Sequence, residues 1–334
     1  MNARAVARRV LVERTGLVPA GANVRPYALP GAARAAELRW RWMLRRRPVV
    51  SAEDYAASVD VGEIEELLAC PLCGEDRVQP LLRPARKRWS YHVVRCPACG
   101  LLYRNPGIRP ERLGDLYGKG DYSRFLTGGY GRRRQAEYRR ILDAFGPALR
   151  EGRGRRLLDY GCGAGLFLEV AYERGFDAYG VDLSPDSVAA ARRRPGGGKA
   201  YLGAPADVPE IAAGGFDVIT LWSVLAHLPR PVDDVTMLRR LLAPGGVLLI
   251  HTVNANSLLL KAYRERWGGF TPNHLVFFSA RTLPLLLRRA GFAGVELRPM
   301  YPGSGLRPRH ERRVQGAVER GNQGPMLDAV ASAP

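Results

Sequence analysis

The run Asp159-Tyr-Gly161-Cys-Gly163-Ala-Gly165 has the residue types and spacing best suited to binding a small ligand. It follows an apolar stretch typical of a strand and precedes a stretch typical of a helix. Glycines at such a turn let the backbone approach a ligand closely, and the first amides of the helix favour polar or anionic groups. Asp182 ends the next predicted strand, where a carboxylate can accept both hydroxyls of a ribose. The pattern predicts a nucleoside site, and its G-x-G-x-G spacing disfavours a nicotinamide dinucleotide.

Four of the five cysteines form two CPxCG pairs, Cys70 with Cys73 and Cys96 with Cys99. In each pair the proline stiffens the turn, and the glycine relieves crowding where backbone amides point at the sulfurs. Two such knuckles supply four thiolates, which predicts a closed, structural Zn²⁺ site in a zinc ribbon. An iron–sulfur cluster is the alternative, and the CPxCG pattern disfavours it. We interpret the fifth cysteine, Cys162, as a small packing residue.

Short apolar strands alternate with helical stretches over residues 155–300. The predicted strands are 155–161, 177–183, 199–203, 216–223, 246–254 and 295–300. This order indicates βαβ units, and therefore an α/β fold with a parallel, doubly wound sheet. Ligands of such sheets collect at the carboxyl ends of the strands.

Residues 140–300 resemble the class I S-adenosylmethionine-dependent methyltransferases. The resemblance rests on DYGCGAG (159–165), VDLS (181–184), FDVITLWSVLAHLPRP (216–231) and LLAPGGVLLI (241–250). It implies a Rossmann-like sheet and S-adenosyl-L-methionine as the cofactor. Six positions match those that hold the cofactor in this family. They are Asp159, Gly161 and Gly163 for the methionine part, Asp182 for the ribose, Asp207 for the adenine, and Trp222 at the border of the methyl-transfer site.

Two histidines, His227 and His274, are candidates for a general base. Methyl transfer is an in-line displacement, so the protein supplies alignment and, for a hydroxyl or carbon acceptor, a base. Both histidines follow predicted strands and are expected at the carboxyl edge of the sheet. The alternative for each is a capping or hydrogen-bonded loop residue. His92 and His251 are expected to be structural or exposed.

The chain is strongly basic, with 51 Lys and Arg against 32 Asp and Glu and a net charge of +19, most of it in the first 150 residues. A polyanion, an anionic membrane face or a phosphorylated substrate would suit that half, and a solvated surface is the alternative. Residues 33–48 predict an amphipathic helix with Ala35, Leu38 and Trp42 on one face. We expect this face to pack on a neighbouring domain; a lipid interface or stacked bases are the alternatives.

The sequence divides into five predicted segments. They are a basic, partly helical segment (1–64), the zinc ribbon (65–106), a helical linker (107–150), the methyltransferase domain (151–300) and a disordered tail (301–334). No apolar run approaches the roughly 18 residues of a membrane span, and the start lacks the apolar core of a secretory signal. A cytoplasmic protein is therefore expected.

The predicted activity is S-adenosylmethionine-dependent methylation of a small molecule or saccharide on oxygen or carbon. In the families that the chain resembles, the motif [DN]-P-P-[YFW] after the fourth strand marks methylation of base amines or amide nitrogens. The motif does not follow the fourth strand here, so methylation of base amines is disfavoured. One alternative is an rRNA methyltransferase that binds RNA through its basic zinc-ribbon half. Another is an inactive adaptor, because Ala226 and Arg230 replace acids that flank the histidine in similar enzymes.

Overall fold

The computed structural model of the chain describes residues 30–84, 91–117, 129–145, 149, 151–300 and 324–333. The α-helices of this part are α1 (Pro30–Arg46), α2 (Ala52–Ala56), α3 (Gly129–Ala144), α4 (Leu166–Glu173), α5 (Pro185–Arg192), α6 (Pro209–Ala212), α7 (Pro231–Leu241), α8 (Leu258–Tyr263) and α9 (Thr282–Arg289). Its strands are β1 (Glu65–Glu66), β2 (Gln79–Leu82), β3 (Val93–Arg95), β4 (Leu102–Arg104), β5 (Gly107–Ile108), β6 (Arg156–Tyr160), β7 (Asp177–Asp182), β8 (Ala200–Leu202), β9 (Phe216–Trp222), β10 (Leu242–Val253), β11 (Val276–Phe277), β12 (Gly294–Met300) and β13 (Met326–Ser332). Within these residues, none of the helices combines the length and the apolar composition that crossing a bilayer requires.

A seven-stranded sheet in the order β12-β13-β10-β9-β6-β7-β8 forms the centre of the larger domain. Strands β6 to β10 run parallel to one another, and β13 is antiparallel to both of its neighbours. Apolar side chains of α3, α4 and α5 pack on one face, and those of α7 and α9 pack on the other. The predicted α/β class with a doubly wound sheet is therefore confirmed.

The central strand β9 shows why these residues form a sheet covered on both faces. Six of its seven residues are buried, so its sequence FDVITLW is an almost continuous apolar run rather than an alternating one. Such runs are typical of parallel strands with helices on both faces. The strand ends at the residue before Ser223, whose φ of +60° turns the chain away from the sheet.

The prediction of a disordered tail without a strand at residues 301–334 is wrong for residues 326–332, because β13 lies between β10 and β12, and residues 301–323 lie outside the described residues. In β13, Leu327, Ala329 and Ala331 are completely buried on one face of the sheet. Asp328 and Val330 alternate with them and project from the other face, as strand geometry requires. Several side chains of β13 are small and Asp328 is charged, so the alternation of buried apolar residues along the strand is hard to see in the sequence. The rest of residues 301–334 is rich in Gly, Pro and Arg, which obscures the pattern further. This strand also supplies the seventh position, which the six predicted strands leave open.

The cysteine module is joined to the larger domain by strand pairing. Its sheet has the order β11-β4-β3-β2, and β11 comes from the chain between α8 and α9. The amide of Arg104 donates to the carbonyl of Leu275 at 2.8 Å, and the Tyr91 hydroxyl donates to the carbonyl of Thr271 at 3.0 Å. Strand β5 pairs with β1, so pairing within the module continues beyond the predicted boundary at residue 106. Residues 271–277 thus connect the cysteine module to the larger domain.

The prediction that the α1 face with Leu38 and Trp42 packs on a neighbouring domain is wrong. The opposite face packs, and it buries Ala36, Trp40 and Met43 against α8 and the residues around it. Leu38 is 58% exposed and Trp42 is 59% exposed. Both faces carry a tryptophan, and an indole buries a large apolar area on either of them. Helical periodicity alone therefore could not select the buried face.

Candidate functional site

The glycine turn connects β6 to α4 at the carboxyl edge of the sheet. Gly161, Gly163 and Gly165 have φ values of +73°, +52° and +75°, which favour glycine. A Cβ added to Gly161 would lie 2.5 Å from Val224, and one added to Gly165 would lie 2.9 Å from Ala191. A Cβ at Gly163 would meet nothing within 4 Å. The first and third glycines thus permit close packing, and the middle one leaves space for a ligand against the backbone.

Asp182 ends β7 beside this turn and is held by it. The amides of Gly163 and Ser184 donate to its two carboxylate oxygens at 2.8 and 2.9 Å. Burial raises the pKa of Asp182, although these amide hydrogen bonds oppose the effect. A backbone hydrogen bond with Leu183 also lowers the pKa of Asp182. A carboxylate has about four acceptor positions, so these contacts orient it toward the turn without using all of its acceptor capacity.

Asp159 lies at the start of the turn and is completely enclosed. Its carboxylate accepts a hydrogen bond from the Thr220 hydroxyl at 2.7 Å. Burial raises the pKa of Asp159 to about 8, and the nearby charge of Asp182 acts in the same direction. Because two carboxylates share this region, a positively charged ligand would favour their ionised forms.

Two further residues near the turn make local contacts. Asp207 is exposed, and its carboxylate accepts the amide of Ala204 at 3.0 Å, which closes the turn after β8. Cys162 is buried, and a Cβ added to Gly180 would lie 2.8 Å from its sulfur. Burial raises the pKa of the Cys162 thiol well above its ordinary value. The adenine role of Asp207 stays a prediction, and Cys162 occupies a tightly packed position.

Trp222 ends β9 within a cluster of rings under α3. Its ring centroid is 4.6 Å from that of Tyr138, 4.8 Å from that of Phe167 and 5.7 Å from that of His251. The indole is buried, and its Nε1 has no hydrogen-bond partner in the described part of the chain. A buried donor of this kind is costly unless a ligand or water satisfies it. Trp222 therefore fits the border of a polar site, as the resemblance implies.

The structure brings together the two predicted histidines, His227 and His274. Their rings meet edge to face with centroids 4.8 Å apart. The Nδ1 atom of His274 lies 2.6 Å from the carbonyl oxygen of Gly269. Burial lowers the pKa of His274 to about 4, and burial together with His274 lowers the pKa of His227 well below its ordinary value. Both rings are therefore neutral at pH 7, and their role as a base stays a prediction.

These neutral histidines predict a loss of stability in acid. Below a pH of about 6.5 the unfolded chain takes up protons at both histidines, whereas the folded chain does not until much lower pH. The unfolded state then binds more protons, so the free energy of unfolding falls as the pH decreases from 7 to 4. We expect His274→Asn to reduce this slope by up to about 1.4 kcal/mol per pH unit. Denaturant unfolding at several pH values measures it, and an unchanged slope would contradict the prediction.

The structure adds a buried pair that the sequence did not reveal, His251 on β10 and Asp328 on β13. The Nδ1 atom of His251 lies 2.5 Å from the Asp328 carboxylate, and both side chains are buried. The other ring nitrogen, Nε2, has no hydrogen-bond partner among the described residues, and it carries a lone pair when only Nδ1 bears a hydrogen. The expectation that His251 is structural or exposed thus missed this pair. The sequence did contain a signal of this pair. Each of the two strands has one ionisable residue among residues that are mostly apolar or small.

Charged residues of α3 lie next to this pair. Arg134 forms an ion pair with Glu137 at 2.8 Å and donates to the Ser223 hydroxyl at 3.3 Å. Burial alone would raise the pKa of Glu137, but the positive charge of Arg134 and the proximity of His251 lower it. Helix α3 thus places a cation, an anion and the ring of Tyr138 over the ends of β9 and β10.

The four cysteines of the module converge on one point. Their sulfurs all lie within 4.8 Å of one another, with 3.6 Å between Cys70 and Cys99 and 3.5 Å between Cys73 and Cys96. A tetrahedral zinc site with bonds of about 2.3 Å has edges of about 3.8 Å, so the arrangement fits four-coordinate zinc. The amide of Cys99 points at the sulfur of Cys96 at 3.4 Å, as expected for a knuckle.

Comparison with known proteins shows which proteins this chain is similar to. Residues 130–297 match the family described as methyltransferase domain. A ubiquinone biosynthesis O-methyltransferase of Methylococcus capsulatus is 38% identical over 114 residues, which are 33% of this chain and 47% of that protein. One of Pseudomonas aeruginosa is 33% identical over 118 residues, which are 33% of this chain and 48% of that protein. A crystal structure of a SAM-dependent methyltransferase from Archaeoglobus fulgidus has a TM-score of 0.45 and 19% identity, covering 67% of this chain and 100% of that one.

The family match covers half of the chain, and the chain therefore belongs to the methyltransferase domain family. The family membership predicted from the glycine turn is confirmed, and the four-cysteine module precedes the matched region. The chain spans about half the length of the curated relatives that it matches. Neither the rRNA alternative nor the inactive adaptor is supported by these matches.

Proposed function

We propose that the protein transfers the methyl group of S-adenosylmethionine to a hydroxyl oxygen of a small molecule. The observation that carries this proposal is the glycine turn, whose open Gly163 lies beside a carboxylate that the backbone amides of the turn hold in place. Membership of the methyltransferase domain family and the O-methyltransferases among the relatives support the choice of donor and of acceptor atom. A saccharide hydroxyl belongs to the same chemical class of acceptor.

The residues of the turn fit this cofactor in shape and in charge. Gly163 lets the backbone approach the methionine part, and Asp182 accepts the ribose hydroxyls. Burial raises the pKa of the enclosed Asp159 to about 8, and a cationic ligand beside it would favour the ionised carboxylate. When bound, S-adenosylmethionine supplies an activated methyl group on a sulfonium. The chain holds the acceptor oxygen in line with that carbon and excludes water, and Asp207 and Trp222 complete the proposed site.

We further propose that His251 removes the acceptor proton. Its Nε2 atom would accept the hydroxyl hydrogen of the acceptor, and S-adenosylmethionine, when bound, would supply the methyl group that the acceptor oxygen receives. Asp328 fixes the ring through Nδ1 and stabilises the charge that the ring gains, which is the arrangement expected of a general base. The prediction from the sequence gives this role to His227 or His274 instead.

We also propose that Cys70, Cys73, Cys96 and Cys99 bind one structural Zn²⁺ ion. Four thiolates fill a tetrahedral shell and leave no position for a substrate, so the ion takes no part in the chemistry. Its contribution is to the folding of the module, because metal binding and folding are coupled in such small units.

Replacement of Asp182 by alanine tests the proposed cofactor site. Two charge-assisted hydrogen bonds to the ribose would be lost, so we expect the affinity for S-adenosylmethionine to fall roughly 100-fold or more. Isothermal titration calorimetry measures this without knowledge of the acceptor. Asp186→Ala is the matched control, because Asp186 is an exposed acid in the first turn of α5. Unchanged affinity in Asp182→Ala with an unchanged melting temperature would refute the assignment.

A further inference from the structure

Helix α1 is held in a fixed orientation by its inner face. The indole of Trp40 is buried, and the Nζ atom of Lys261 on α8 lies 2.5 Å from the Glu37 carboxylate. At the end of the helix, the side-chain amide of Gln79 donates to the carbonyl of Leu44 at 2.8 Å. Contacts from two other elements thus determine which residues the helix presents to solvent.

The outer face of α1 is an apolar stripe bordered by arginines. Leu38 and Trp42 are one turn apart, so they lie side by side, and each is more than half exposed. Val49, which is also exposed, follows the end of the helix. The exposed arginines around the stripe are Arg34, Arg39, Arg45, Arg46 and Arg47. At about 100° per residue, Arg34 and Arg45 lie on one side of the stripe and Arg39 and Arg46 on the other.

The positive charge of this face is not balanced within the helix. Glu37 is the one acid in the sequence of α1. Its carboxylate already contacts Lys261 at 2.5 Å and Arg41 at 2.8 Å. The arginines along the stripe therefore carry positive charge that no acid of α1 neutralises.

We propose that the outer face of α1 binds the anionic surface of a lipid bilayer. Leu38 and Trp42 would enter the boundary between headgroups and acyl chains, and the arginines on both sides would contact lipid phosphates. A basic helix with Trp and Leu on its other surface is the pattern of helices that lie in a membrane interface. Each basic residue near an anionic leaflet strengthens the attraction. The surface lies outside the matched residues 130–297, so the proposal does not depend on the proposed methyl transfer.

The same face fits single-stranded RNA less well. Bases bind to such proteins by stacking on exposed rings. Leu38 offers no ring and no polar atom, although it occupies half of the stripe. The guanidinium of Arg46 lies 4.3 Å from the centroid of the Trp42 ring and so occupies one of the two ring faces on which a base could stack. An apolar stripe with charges on both sides instead matches a bilayer surface, where charged headgroups lie next to apolar acyl chains.

Cosedimentation of the full chain with vesicles tests the proposal. We expect binding to vesicles of phosphatidylcholine with one quarter phosphatidylglycerol, and little binding to phosphatidylcholine alone. The double variant Leu38→Ser, Trp42→Ser should weaken binding at least about tenfold, because it removes the inserted apolar groups. The double variant Arg45→Glu, Arg46→Glu should weaken it by about the same factor and abolish its salt dependence.

Matched controls change the same chemistry elsewhere on the surface. Tyr172→Ser with Leu202→Ser removes two comparably exposed apolar residues, and Arg153→Glu with Arg193→Glu reverses two exposed charges. Both controls should bind vesicles like the wild type. The proposal is overturned if the wild-type chain ignores anionic vesicles, or if the controls lose as much binding as the α1 variants. Binding to single-stranded polyuridine that depends on α1, without vesicle binding, would assign the face to RNA and also overturn it.

Discussion

We expect replacement of Cys70 by serine to remove the bound zinc. As a consequence, the segment that carries His274 should lose its support. Cys70 is one of four sulfurs that converge in the module. Structural zinc in small peptides contributes about 10–16 kcal/mol of apparent binding energy at pH 7, so its loss would unfold the module. Strand β4 would then no longer support β11, with which it pairs. His274 lies two residues before β11, so the loop that carries this histidine would lose its order.

The glycine turn is built by β6, β7 and α4, which the module does not contact through strand pairing. We therefore expect Cys70→Ser to keep its affinity for S-adenosylmethionine within a few-fold while methyl transfer falls at least about tenfold. Elemental analysis measures the bound zinc, calorimetry measures the affinity for S-adenosylmethionine, and the rate of methyl transfer to catechol measures the third effect. Cys162→Ser is the control for zinc content, because that buried cysteine lies outside the cluster. Full zinc content in Cys70→Ser would refute the ligand set, and zinc loss with unchanged transfer would refute the coupling.

The sequence predicted those parts of the site that depend on local spacing. The glycines of residues 161–165 need positive φ and close packing, and each requirement leaves a trace within a few positions. The CPxCG pairs are equally local, because each knuckle is complete within five residues. The β6, β7 and β9 strands were predictable because each contains a short apolar stretch that alternates with a predicted helix along the chain.

The parts that escaped prediction depend on contacts between distant residues. His251 and Asp328 are 77 residues apart, and neither is unusual until β13 lies beside β10. Glu37 and Lys261 are 224 residues apart, and their ion pair helps to select which face of α1 is buried. Strand β11 has two residues, too few for any periodicity, yet it joins the cysteine module to the larger domain.

The second large effect is expected from His251→Gln. Glutamine keeps most of the volume of the ring but cannot take the proton of a hydroxyl, and general-base catalysis is worth about 10²- to 10⁴-fold. We expect kcat to fall within this range while the affinity for S-adenosylmethionine is unchanged. Asp328→Asn should also lower kcat, because an amide in place of the carboxylate no longer stabilises the charge that the ring gains.

A pair of probe acceptors distinguishes a lost base from a distorted site. Catechol needs a base to become a nucleophile, whereas the hydroxyls of 4-nitrocatechol are more acidic and depend on a base less. The loss in His251→Gln should therefore be smaller with 4-nitrocatechol, while a distorted site would slow both acceptors equally. His227→Asn and His274→Gln should show no such dependence on acceptor acidity. If one of them shows it and His251→Gln does not, the base is the histidine predicted from the sequence, and the His251–Asp328 pair only joins β10 to β13.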